Sequence, residues 1–114
     1  MLVRHGLAIV VALTATTASA AERSANHVLP GCRAVEAVNE GGSARNLAAK
    51  AGYCLGIIDG LAYSGDNFCP PDEVSISQVA GVIVKYVEAR PERLDEDFRG
   101  LAVEAARMAW PCKK

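Results

Sequence analysis

Residues 69–112, CPPDEVSISQVAGVIVKYVEARPERLDEDFRGLAVEAARMAWPC, read as two helices folded back on each other and closed at their base by two cysteines. Ser75-x-x-Gln78 is a capping box, so a helix opens there and runs to about Arg90. Ile76, Val79, Ala80, Ile83, Tyr86 and Val87 recur at helical spacing and form its apolar face. The β-branched run Val82-Ile83-Val84 would suit a strand, but the capping signal and the helical period decide for a helix. Pro91 stops this helix. Asp95 or a neighbour caps the next one, where Asp95, Glu96 and Asp97 favour its positive end. Phe98, Leu101, Ala102, Ala105, Met108 and Ala109 are its expected buried stripe, and Pro111 ends it. A short turn makes the two helices antiparallel, which brings Cys69 beside Cys112.

The same logic extends towards the N-terminus. Pro30-Gly31 breaks the chain after a polar, loose stretch from Ala21 to Val28. A short helix from about Cys32 to Asn39 follows, ended by Gly41-Gly42. Ser43 is a plausible N-cap for a longer helix from about Ala44 to Tyr63, whose Leu47, Ala51, Cys54, Leu55, Ile58 and Leu61 share one side. Cys32 lies about as far before the glycine pair as Cys54 lies after it, so these two should meet. The expected pairs are therefore Cys32–Cys54 and Cys69–Cys112, each contributing about 3–4 kcal/mol by loop entropy. Gly52, Gly56 and Gly60 recur every fourth residue and are expected to admit close approach of another backbone. Ser64 to Val74 is a loop rich in Gly, Asp, Asn and Pro. The fold class expected is all-α: a small four-helix bundle of two antiparallel hairpins, stabilised by disulfides.

Met1 to Ala20 has the form of a secretion signal. Arg4 and His5 give the positive start, Gly6 to Leu13 the apolar run, and Ala18-Ser19-Ala20 the cleavage site. The apolar run is about half of the ~20 residues a membrane span requires. Cleavage near Ala20 leaves residues 21–114 as one small helical domain, without a membrane anchor and suited to the bacterial periplasm. An even set of four cysteines with no CxxC pair fits that oxidising compartment. The chain has 12 basic and 13 acidic side chains, a formal net charge of −1, and its cations are scattered, which argues against nucleic acid. Hydrophobic residues make up 51% of the sequence, but the signal and alanine inflate that figure, so the core is thin and cross-links compensate.

Catalytic material is sparse. No G-x-S-x-G, P-loop or H-E-x-x-H occurs. His27 has no neighbouring nucleophile or ligand, and the cysteines are committed to disulfides, so no metal site or cofactor is expected. Asp59 and Asp66 are read as structural polar groups rather than catalytic carboxylates. The reading is therefore of a non-enzyme. Tyr53 and Tyr63, close to three helical turns apart, are either half-buried core or a partner-facing strip. Arg90-Pro91-Glu92-Arg93-Leu94-Asp95-Glu96 is a charged hairpin tip, either a solvated turn or a plug for another protein's cleft.

Cys32, then Gly52-Tyr53-Cys54-Leu55-Gly56-Ile57-Ile58-Asp59-Gly60, then Phe68-Cys69-Pro70 resemble the immunity proteins that protect against type VI secretion amidase toxins, the Rap/Tai type. Gln78, Val84-Lys85-Tyr86-Val87, Pro91-Glu92 and the closing Ala109-Trp110-Pro111-Cys112 fit as well, so the resemblance spans about Leu29 to Cys112. Cys54 follows the Gly-Tyr pair where the family pattern places its cysteine before it, and Trp110 stands where Phe is common. The resemblance implies a periplasmic, often homodimeric helical protein. It would bind a secreted peptidoglycan amidase effector and occlude the cleft, without chemistry of its own. The candidate contacts are Tyr63, Asp66 and Asn67 in one loop, and Glu92, Arg93, Leu94 and Asp95 at the hairpin tip. The alternatives are an HdeA-like periplasmic acid-stress chaperone, which would bind many partners at low pH, and an orphan exported helical domain.

Overall fold

The computed structural model describes residues 20–39, 45–65 and 67–113. The signal segment through residue 19, the Gly41-Gly42 break, the Ser43 cap and Asp66 lie outside the described residues. The order of elements is α1 (Ala20–Arg23), α2 (Ala25–Asn39), α3 (Arg45–Tyr63), α4 (Ile76–Glu88), a 3-10 turn (Pro91–Arg93) and α5 (Phe98–Ala109). Four long helices and no sheet make the fold all-α among the described residues, as the periodicity predicts.

Helix α2 differs most from expectation. It begins at Ala25, well before Cys32, and runs through Pro30 without stopping. The stretch read as loose is helical because Ala25, Val28, Leu29, Cys32 and Val35 fall on one face and are buried together. That burial outweighs the one backbone hydrogen bond that Pro30 removes. The helix start is also held from afar: the Ala25 and Asn26 amides donate to the carbonyls of Glu96 (3.0 Å) and Leu94 (2.8 Å). These carbonyls satisfy amides that a helix start leaves unpaired. Ser24 bridges antiparallel to Asp97 at the same place.

Gly31 is a contact residue rather than a breaker. A Cβ built there would lie 2.4 Å from the Lys50 carbonyl oxygen on α3. The missing side chain is what lets α2 and α3 approach, and the disulfide Cys32–Cys54 fastens them next door with Cα atoms 5.2 Å apart. The expectation for Gly52, Gly56 and Gly60 is reversed. Among the described residues, no atom outside the local helix backbone lies within 4 Å of a Cβ built at any of the three. The reason is the apolar face of α3: Ala51, Cys54 and Ile58 turn inward, which leaves the glycine face towards solvent.

Helices α4 and α5 follow the sequence pattern closely. Ser75 caps α4, its hydroxyl accepting the Gln78 amide at 3.1 Å. Val79, Ala80, Ile83 and Val87 are buried, and α4 ends at Glu88, two residues short of the expected Arg90. Asp97, the neighbour of Asp95, caps α5 by accepting the Arg99 amide at 3.0 Å. Its buried stripe is Phe98, Leu101, Ala102, Ala105 and Ala106. Met108, expected inside, is 71% exposed, because the buried arc runs through Ala106 instead. Cys69–Cys112 closes the hairpin base as predicted, with Cα atoms 4.9 Å apart. The Cys69 amide also donates to the Trp110 carbonyl at 2.9 Å. Phe98, Ile58, Ile83, Leu101 and Val87 form the fully buried centre shared by α3, α4 and α5. Arg33 and Glu88 pair on the surface and join α2 to α4.

The glycines give opposite predictions. Gly31→Ala should cost about 1–3 kcal/mol, because the Lys50 backbone has to shift. Gly56→Ala should add about 0.5–1 kcal/mol, because nothing obstructs the methyl and helix propensity improves. Urea unfolding with both disulfides intact measures both.

Candidate partner-binding surface

The two segments proposed as contacts lie at opposite ends of the α4–α5 hairpin. Asn67 sits against the end of α5, where the Arg107 Nε donates to its carbonyl at 3.0 Å. The Pro91 tip lies at the start of α5. The 12 residues of α5 separate them by roughly 18 Å. They do not form one patch.

At the first end, Tyr63 closes α3 and is 85% exposed. The loop beyond it folds back onto the helix. Asn67 Nδ2 donates to the Leu61 carbonyl (3.1 Å) and the Ser64 hydroxyl (2.9 Å), and Ser64 donates to the same carbonyl at 3.0 Å. Asn67 thus occupies a carbonyl that the end of α3 leaves open. Gly65, at φ 105°, makes the reversal that a side chain would resist. Asn67 is therefore a structural cap, and Tyr63 is the group this end presents outward.

At the tip, Arg93 and Leu94 are held inward between exposed neighbours on either side. Leu94 packs against the core. Arg93 is held by two carboxylates. Its Nε and Nη2 reach Glu96 at 2.6 and 2.9 Å, and its Nη1 and Nη2 reach Glu104 on α5 at 2.8 and 3.0 Å. Planar, forked contacts of this kind fix an arginine's orientation better than a single ion pair. Tyr86 adds its hydroxyl to Glu104 at 3.0 Å. The Arg90 guanidinium stacks 3.6 Å above the Tyr86 ring and donates to the Tyr86 carbonyl at 2.9 Å. With the Leu94 and Glu96 carbonyls also engaged by α2, the tip is tied on two sides. Glu92 and Asp95 remain exposed on its outer surface.

Sequence reasoning placed Arg93 among the contacts and missed that it is held internally. Its partner Glu96, three residues on, was visible in the sequence; Glu104 becomes a neighbour only when α5 folds back. Tyr53 is 55% exposed and Tyr63 more so, so neither tyrosine is the half-buried core residue that one reading expected. Among the described residues, no group of three or more His, Cys, Asp or Glu side chains is placed to hold a metal ion. No described helix is long and apolar enough to cross a membrane.

The hydrogen-bond network of Arg93, Tyr86, Glu96 and Glu104 has a pH signature. Hydrogen bonds from Arg93, and then from Tyr86, hold the Glu104 carboxyl down to about 2 against an ordinary 4.5. Arg93 likewise lowers Glu96. A carboxyl lowered in the folded state contributes stability above its unfolded value and loses it as pH falls through the folded one. Glu104→Gln should therefore remove part of the stability loss between about pH 4.5 and 2. Acid unfolding followed by circular dichroism, for parent and variant, checks the change in slope.

A family model described as Rap1a immunity proteins matches residues 14–112. No curated protein and no solved structure matches the chain. The family match includes all four cysteines, the whole of α2 to α5 and the tip between α4 and α5. Over nearly its entire length, then, the chain belongs to the Rap1a immunity protein family.

Proposed function

We propose that this chain is a periplasmic immunity protein that binds a type VI secretion peptidoglycan amidase effector and blocks its cleft. Family membership supports a secreted effector as the partner. A cell-wall amidase acts in the compartment to which Met1–Ala20 would direct the chain, and residues 21–114 would be the exported domain after cleavage near Ala20. The protein works by occlusion and contributes no catalytic group. A homodimer, also implied by the family resemblance, belongs to the same proposal.

The observation that carries the reading is the constrained tip. A segment that enters a cleft binds more tightly when it does not have to be ordered first. Here Arg93 and Leu94 anchor the tip from inside while Glu92 and Asp95 face outward. These two carboxylates are the proposed contacts, with Arg93 and Leu94 acting by positioning them. Tyr63, Asp66 and Asn67 at the far end form a second, separate contact region.

Inhibition of a type VI secretion peptidoglycan amidase from the source bacterium or a close competitor tests the proposal, with release of peptide crosslinks from peptidoglycan as the readout. The parent should inhibit stoichiometrically. Glu92→Lys with Asp95→Lys should weaken inhibition by roughly 10–100-fold without altering the melting temperature. Tyr63→Ala should weaken it less. Full inhibition by the charge-reversed tip would remove the tip from the mechanism. No inhibition by the parent would reject the amidase reading.

A further inference from the structure

A hollow of about 480 Å³ lies between the first half of α2 and the middle of α3. A second, of about 250 Å³, lies between α1, α3 and the start of α5. Val28 and Tyr53 line both, so the two hollows adjoin at these side chains and make one groove. Its floor is apolar: Val28 and Phe98 are buried there, and Ile57 is half-buried. Gly31 and Ala49 keep the larger hollow open by carrying little or no side chain.

The rim is cationic. Lys50 stands at the larger hollow, Arg23 and Arg99 at the smaller, and all three are exposed. Among the described residues, no acidic side chain lines either hollow. Lys50 and Arg23 form no ion pair with another described residue. Arg99 pairs with Asp97 at 3.0 Å, but both side chains are about half exposed, and surface pairs of this kind exchange readily. In a chain of nearly balanced charge, three cations around an apolar groove stand out, with Asp97 offsetting part of their charge at the Arg99 end. Aromatic anchors in apolar pockets, surrounded by complementary charge, carry much of the energy of protein interfaces.

We propose that this groove receives an acidic segment of the partner protein, with an aromatic or large aliphatic side chain seated beside Tyr53 and flanking carboxylates on Lys50, Arg23 and Arg99. The inference rests on the effector-binding reading and adds a second contact, of opposite charge, beside the tip: Arg99 follows Asp97, where the tip ends. A second copy of this chain is a poor occupant. A two-fold contact through the groove would set the cationic rim against itself.

The test uses two blocked peptides, one with a tryptophan flanked by aspartates and one with the same tryptophan flanked by lysines. Each is titrated into the oxidised, isotope-labelled protein and followed by amide chemical shifts. The acidic peptide should shift amides around residues 28, 50, 53 and 99, and bind at least about tenfold better than the basic one. Lys50→Glu with Arg23→Glu, both at exposed positions, should abolish that preference, and Tyr53→Ala should weaken the acidic peptide alone. Equal binding of both peptides, shifts elsewhere, or shifts that track protein concentration without peptide would overturn the proposal. Effector inhibition by Lys50→Glu/Arg23→Glu separates the two readings. If the parent inhibits and this variant does so equally well, the groove fails and the immunity reading stands. If the parent does not inhibit, the immunity reading fails and the peptides judge the groove alone.

Discussion

The approach of α2 to α3 at Gly31 is the constraint on which the remaining packing depends. The Lys50 carbonyl sits where any other residue would place its Cβ. One residue away, Cys32–Cys54 fixes the spacing covalently. The pair then presents Val28, Leu29, Cys54 and Ile58 as a single apolar surface, on which α4 and α5 close with Ile83, Val87, Phe98 and Leu101. A core so poor in large side chains tolerates little slack, so the missing Cβ and the covalent link stand in for bulk. The same approach leaves the groove at Tyr53, because Gly31 and Ala49 do not fill it.

The second organising feature is the exchange between α2 and the α4–α5 connection. The carbonyls of Leu94 and Glu96 cap α2, and α2 in return holds the connection in place. Arg93 binds the other side of that connection to α5 through Glu96 and Glu104. A seven-residue turn that would otherwise be loose therefore becomes a shaped projection with two outward carboxylates. Rigidity of this kind lowers the entropy cost of entering a cleft, which links the packing to the proposed inhibition.

Much of this was legible in local signals. The Ser75 cap, the apolar period of α4, the turn at Pro91 and the Pro111 stop are short-range features, and together they place Cys69 by Cys112. The start of α2 was not legible, because Leu94 and Glu96 cap it from far along the chain and Pro30-Gly31 carries a strong breaker signal. Nor was the orientation of the glycines. Spacing identifies a smooth stripe at Gly52, Gly56 and Gly60, but which face another helix covers is a tertiary matter, and the close contact fell at Gly31. Met108 went astray for a similar reason: Ala106 is a weak apolar signal, yet it faces the core. At the candidate surface, the charge of the tip was visible; the exposure of Tyr63 was not, because helical spacing left the core and partner-facing readings open. The inward pull on Arg93, and the convergence of Arg23, Lys50 and Arg99 around Tyr53, arise only when three helices meet.

Hydrogen–deuterium exchange on the complex with the cognate amidase tests the central claim most directly. Added protection is expected over residues 91–99 and over the α2 and α3 segments that border Tyr53, with a smaller gain over residues 63–67. Protection confined to residues 63–67, with the tip exchanging as in the free protein, would contradict it.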